Sequence, residues 1–221
     1  MKSAIKLSWK SEAWCILVTV ATVALSFYFY AHFPEQVVGH WNFAGQPDDW
    51  TSRAGGAFGM VGVLIGMYVM FLVLPMLDPK KERYADFEKV YHLFKNILIT
   101  FFAVIYVLSG LYNLGYPISI QFWVPWLVGL LMIFMGNYLG KLKRNWFVGI
   151  KTPWTLSSEN VWNKTHRVGG WMFILFGVCI IISPNLPYAW GAGIFVGGAV
   201  LATVGSMLYS YIVYLQEKKN K

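Results

Sequence analysis

The residues best suited to chemistry are four histidines and the acids beside two of them. His32, His40, Asp48 and Asp49 share one stretch between two apolar runs. Two imidazoles and a carboxylate are the donor set of an open zinc site that activates water. Their spacing does not force them together, and no His-Glu-x-x-His pattern supports a metal. His92 and His166 fall in other connections, so no side of a membrane holds more than two. The chain also lacks a Gly-x-Ser-x-Gly elbow and a glycine-rich phosphate loop ending in Lys-Ser or Lys-Thr. No catalytic residue, metal ligand or cofactor is therefore assigned, and a non-enzymatic protein is expected. Cys15 and Cys179 lie in apolar runs without a pairing motif and read as packing residues.

A second concentration of reactive types runs from Gly136 to Arg167. It gathers Lys141, Lys143, Arg144, Lys151, Lys164 and Arg167, yet also carries Trp146, Trp154 and Trp162. A loop that only connects has little use for large aromatics, so this stretch reads as a docking surface at a membrane face. Thr152-Pro153-Trp154-Thr155 predicts a turn, because proline fixes its own φ and restricts the residue before it. Thr155 or Ser157 then caps a short amphipathic helix with Glu159 in its first turn. On that helix Glu159, Asn163 and Arg167 share one face, and Trp162 and His166 a neighbouring stripe.

The elements that must position these residues are apolar. The chain is 57% hydrophobic and 13% charged. It breaks into six runs able to cross a bilayer: 13–31, 54–77, 96–114, 122–140, 168–183 and 188–215. An all-α polytopic bundle is expected, in two parts. Residues 1–92 hold two spans and the loop 32–53, and residues 93–221 hold four spans and the loop 136–167. Seventeen of the 18 basic residues, Lys2, Lys6 and Lys221 among them, fall in segments on one side, and only Arg53 falls on the other. Both termini and the 136–167 loop are then cytoplasmic and the 32–53 loop extracellular. The net charge of +8 is a topology signal, with anionic headgroups as its simplest partner and no nucleic acid implied.

The outer loop carries a Gly45-Gln46-Pro47-Asp48-Asp49 turn cluster between Trp41 and Trp50 and is expected to fold back as a hairpin on the membrane. Gly55/Gly59, Gly62/Gly66 and Gly193/Gly197 have the small-xxx-small spacing of close helix packing, with a homodimer face as the alternative. Pro75 and Pro79 are expected to close the second span. The connection 78–95, with Tyr84, Phe87, Tyr91 and Phe94 at helical spacing, is expected to lie on the inner surface as an amphipathic helix. No ionisable residue falls inside the six spans as drawn, which argues against a coupled transporter. A channel lined by hydroxyls and carbonyls stays open.

Two strings carry a resemblance: His40-Trp41-Asn42 with Gly45-Gln46-Pro47-Asp48 and Trp50, and Asn145-x-x-x-Gly149-Ile150-Lys151-Thr152-Pro153-Trp154-Thr155-Leu156 with Val161-Trp162-x-Lys164-Thr165-His166-Arg167. The second resembles the SdpI family of bacterial membrane proteins, and the first a small domain of unknown function that commonly precedes it. The resemblance implies an immunity protein. Such a protein guards the producing cell against its own secreted cannibalism peptide toxin and holds a small transcriptional autorepressor at the membrane, so that toxin detection is signalled inward. It makes His40, Trp41, Asn42, Gly45, Asp48, Asp49 and Trp50 a toxin-facing surface. Asn145, Gly149, Lys151, Thr152, Pro153, Trp154, Thr155, Trp162, Lys164, His166 and Arg167 become the cytoplasmic docking surface. A transporter or channel is the first rival reading, and a membrane-bound metal-dependent enzyme the second. Signalling needs a bundle with two packings, and the glycine-rich second span with Gly59 and Gly62 is the element expected to shift.

Overall fold

A computed structural model describes Ile5 and residues 7–220; Lys2, Lys6 and Lys221 lie outside the described residues. Among the described residues six helices are long and apolar enough to cross a membrane. They are α1 (Trp9–His32), α2 (Arg53–Leu77), α3 (Glu88–Asn113), α4 (Ile120–Leu139), α6 (Glu159–Ile182, with a turn running on to Asn185) and a last span built of α7 (Tyr188–Val200) and α8 (Ser206–Lys219). The one-turn helix α5 covers Pro153–Ser157, and strands β1 (Gln36–Trp41) and β2 (Pro47–Ser52) form an antiparallel pair. The expected six-span helical membrane architecture is borne out, with residues 36–52 folded as the expected hairpin. In the last span a π turn, Leu201–Gly205, joins the two helices.

Several boundaries and faces differ from those expected. A capping box between Ser8 and Ser11 starts α1 at Trp9, which takes Glu12 into the helix. Helix α3 starts at Glu88, so 78–95 is a 3₁₀ turn, Lys81–Asp86, followed by the first turns of a span. Its aromatic stripe faces inward: Tyr84, Phe87, Tyr91 and Phe94 are all buried. Helical spacing marks an apolar face without saying whether lipid or protein covers it. Pro75 lies inside α2.

The chain folds as two compact units. One contains Leu7–Leu72 and Lys95–Leu127. Its core has a cluster of Phe29, Phe33, Val37, Ala57 and Tyr106 and another of Cys15, Leu64, Ile99 and Ala103. The Tyr106 hydroxyl donates to the Ala57 carbonyl at 2.7 Å. The Lys95 ammonium donates to Glu12 Oε2, and the Tyr68 hydroxyl donates to the same oxygen at 2.9 Å. Lys95 is 1% exposed, so this ion pair sits inside the helix packing. The expectation that the spans are free of charge is therefore corrected. The helices begin earlier than hydropathy drew them, and apolar stems let a paired Glu and Lys sit where hydropathy breaks off.

The other unit contains Val73–Phe94 and Val128–Lys221. Here α4 and α6 touch backbone to backbone. A Cβ on Gly129 would lie 2.6 Å from the Gly177 carbonyl oxygen, and one on Gly136 would lie 2.5 Å from that of Gly170. Phe176, Ile180 and Ala202 form the core behind this contact. The glycines singled out by spacing do not pack in this way. Around Gly59, Gly62, Gly66, Gly193 and Gly197 no atom of another element among the described residues stands within 4 Å of where a Cβ would be. A small-xxx-small interval is necessary for close packing but does not say which face has a partner.

Candidate functional site

The hairpin is built to hold a small exposed surface still. Asn42 organises its turn: its N–H donates to the Gln46 carbonyl, and its side-chain oxygen accepts the N–H groups of Ala44 and Gln46. Gly45 completes the turn at φ 72°, a region that disfavours other residues, and a Cβ there would come within 2.5 Å of Gln121 Cβ. The ladder pairs Val38 with Trp50 and His40 with Asp49, with irregularities on both sides of His40. Those bulges re-aim His40, whose Nδ1 meets Asp48 Oδ1 at 2.6 Å. Underneath, Val37 is buried and Asn113 at the end of α3 clamps Val38, accepting its N–H at 2.7 Å and donating to its carbonyl at 3.1 Å. Trp41 packs edge-on against Tyr112, with ring centroids 5.2 Å apart.

Three roles follow for the residues expected to face a ligand. Asn42 and Gly45 shape the turn, and Trp41 anchors it. His40, Asp48, Asp49 and Trp50 are exposed. Phe43 belongs with them at 64% exposure and was missed, because it lies between the two motif fragments. His32 does not join His40: its ring stacks on Tyr28 and its Nδ1 lies 2.7 Å from the Tyr28 carbonyl. Among the described residues no group of three or more His, Cys, Asp and Glu is placed to hold a metal.

The 136–167 stretch is a knot more than a surface. Asn145 is fully buried; its amide donates to the carbonyls of Lys143 and Val148, and its oxygen accepts the N–H groups of Phe147 and Val148. Gly149, at φ 120°, lies so close to the His166 ring that a side chain would collide with it. The chain can then turn and present the Ile150 N–H to His166 Nε2 at 2.9 Å. His166 Nδ1 faces the Trp162 carbonyl at 2.8 Å, so the neutral ring with its proton on Nδ1 satisfies both contacts. Trp162 stacks on that ring at 3.9 Å and donates its indole N–H to the Leu142 carbonyl. The expected Trp162 and His166 stripe is thus real, and it faces inward.

Capping differs from expectation by a few residues. Thr152 caps α5 in a box with Thr155, Pro153 takes the first helical position, and Ser158 caps α6. Thr152 also meets Ser210 of α8 at 3.0 Å, and Trp154 packs on Tyr211. Glu217 accepts from Ser158 and Asn160. Asp78, which nothing in the motif string announces, accepts from the Trp146 N–H and the Tyr84 hydroxyl. Burial, and then the Asp78 carboxylate, push the Tyr84 phenol above its usual range.

The docking surface expected from the sequence is therefore corrected in its membership. Asn145, Thr152, Thr155, Trp162 and His166 are buried and cannot touch a partner; Gly149 and Trp154 are half-buried. Lys151, Pro153, Lys164 and Arg167 remain exposed, with Trp146 at 48% beside them. Glu159 and Asn163 share the outer face with Arg167, as expected.

Six spans among the described residues, an anchored hairpin and a buried motif knot define a multi-pass membrane protein. The model of the SdpI/YfhL protein family matches residues 141–210, and that of a domain of unknown function (DUF1648) matches residues 17–65. Over 202 residues, 90% of this chain and 95% of the relative, the sequence is 25% identical to "Immunity protein SdpI" of Bacillus subtilis (strain 168). No solved structure matches. Both resemblances carried by the motif strings are borne out.

Proposed function

We propose that this protein gives its bacterium immunity to a secreted peptide toxin, and that the hairpin is the surface the toxin meets. The observation carrying this is the division of labour at residues 36–52. Asn42, Gly45, Trp41 and the Asn113 clamp hold the fold, while His40, Phe43, Asp48, Asp49 and Trp50 stand outward. Exposed aromatics beside a charged pair suit an amphipathic peptide, because rigid rings give contact area at little entropic cost. The likeness to a named immunity protein over nearly the whole chain supports the same reading.

The test is survival of a sensitive Gram-positive strain expressing this chain when challenged with the cannibalism peptide. Wild type should protect, and the double variant H40A/W50A should not, at equal membrane abundance. Full killing of both strains at confirmed membrane abundance would abandon this toxin. Equal protection by both would move the recognition surface off the hairpin.

A signalling role extends the reading inward. Lys151, Pro153, Lys164 and Arg167 offer a basic face on which an acidic segment of a small repressor would dock, released when toxin binding favours a second packing of the helices. Pull-down of a repressor with wild type but not with K151E/K164E/R167E supports that extension. The buried Glu12–Lys95 pair favours one second reading, a transporter, since paired charges within spans also mark ion pathways. Solute flux in proteoliposomes, abolished by E12Q, would establish it.

A further inference from the structure

We propose that Lys80 and Arg144 together bind the phosphate of an anionic phospholipid headgroup. Asp78, 2% exposed, creates the site. Its Oδ1 accepts the Lys80 N–H at 2.7 Å, and its Oδ2 accepts the Trp146 N–H at 2.9 Å and the Tyr84 hydroxyl at 3.0 Å. This one carboxylate ties the chain leaving α2 to the chain following α4. Lys80, itself bonded to Asp78, and Arg144, two residues before the bonded Trp146, are thereby brought near each other.

The neighbouring charges are mostly committed elsewhere. Arg83 pairs with Glu159 and Asp86, Lys141 stands over the Tyr138 ring, and Lys151 donates to the Phe147 carbonyl. Among the described residues Lys80 and Arg144 have no carboxylate within ion-pair distance; Arg144 gives one long bond, 3.4 Å, to the Leu156 carbonyl. Burial, followed by the positive charges of Arg144 and Arg83, pushes the Lys80 ammonium below its usual range, and Glu159 and Asp78 oppose this more weakly. Two cations crowd each other where an anion would relieve both. A guanidinium fork and an ammonium are the pair that takes phosphate oxygens.

Position selects the source of that phosphate. Lys80 lies three residues after α2 ends at Leu77, and Arg144 five after α4 ends at Leu139. Both apolar helices stop there, which sets the cations at headgroup depth. Trp146, half-exposed on the same strip, is of the type that seeks the membrane–water boundary. Basic groups at such a boundary draw acidic lipid. A protein partner has no comparable reason to sit level with the helix ends.

The experiment uses the purified full chain in neutral detergent. It follows thermal unfolding with added phosphatidylglycerol, phosphatidylcholine, inorganic phosphate or an oligoglutamate peptide, and counts bound lipid by native mass spectrometry. Phosphatidylglycerol should raise the melting temperature more than phosphatidylcholine does. That difference should fall by at least half in K80Q/R144Q and persist in K218Q/K219Q. If R144Q proves unfolded because the Leu156 bond is lost, K80Q alone decides, since the Lys80 ammonium makes no hydrogen bond that folding needs. An undiminished shift in the folded variant overturns the proposal. An equal shift from inorganic phosphate, or one from oligoglutamate with none from phosphatidylglycerol, overturns it as well.

Discussion

Asn145 illustrates how far a single side chain can set a loop. Four backbone groups depend on it, and truncation would leave several of them buried without partners at about 1–3 kcal/mol each. N145A should therefore lower the melting temperature in detergent and reduce membrane abundance, whereas R167A on the exposed face should leave both within error. G149A should behave like N145A, because a positive φ and the His166 ring both exclude a methyl group there. On the hairpin, N42A should abolish protection as H40A/W50A does, but with lower chymotrypsin resistance at Trp41 and Phe43, a difference a pure contact residue would not produce. At this scale the sequence was legible in type but not in direction. A basic, tryptophan-rich loop looks like a docking surface until Asn145, Thr155 and His166 are seen to spend their hydrogen bonds inside it.

Among elements, the decisive contacts are those between α4 and α6 and those between α1, α2 and α3. Alanine at Gly129 or Gly170 would push two backbones apart, an overpacking cost of about 1–3 kcal/mol, and should be measurable as a lower melting temperature. Leucine at Gly59 or Gly62 meets open space within the chain and should leave that temperature unchanged. Reduced protection by such a variant would then point to a second copy on that face. The Glu12–Lys95 pair gives a sharper contrast. K95M leaves a buried carboxylate uncompensated and should destabilise by about 3–5 kcal/mol, while E12M/K95M should recover most of the loss. Hydropathy located all six spans, yet it clipped the starts of α1 and α3. Caps made by Ser8 and Ser11, and the buried stem of Lys95, extend those helices into segments that read as polar.

For the molecule as a whole, the two family matches and the charge asymmetry were readable before any coordinates, because both are written as types at fixed positions. Which residues are scaffold and which are surface was not, since that depends on Asn113, Gln121, Asp78 and Ser210 arriving from distant parts of the chain. The π turn at Leu201–Gly205 has a consequence of its own for this long-range pairing. It inserts slack into the last span just before Ser206, Ser210 and Glu217, the residues that meet Met172, Thr152, Ser158 and Asn160. Each residue of a helix advances the azimuth by about 100°. A chain shortened by one residue at Val204 would keep its hydropathy and its span count, but it would swing Ser210 and Glu217 away from the knot like a key cut one notch out of phase.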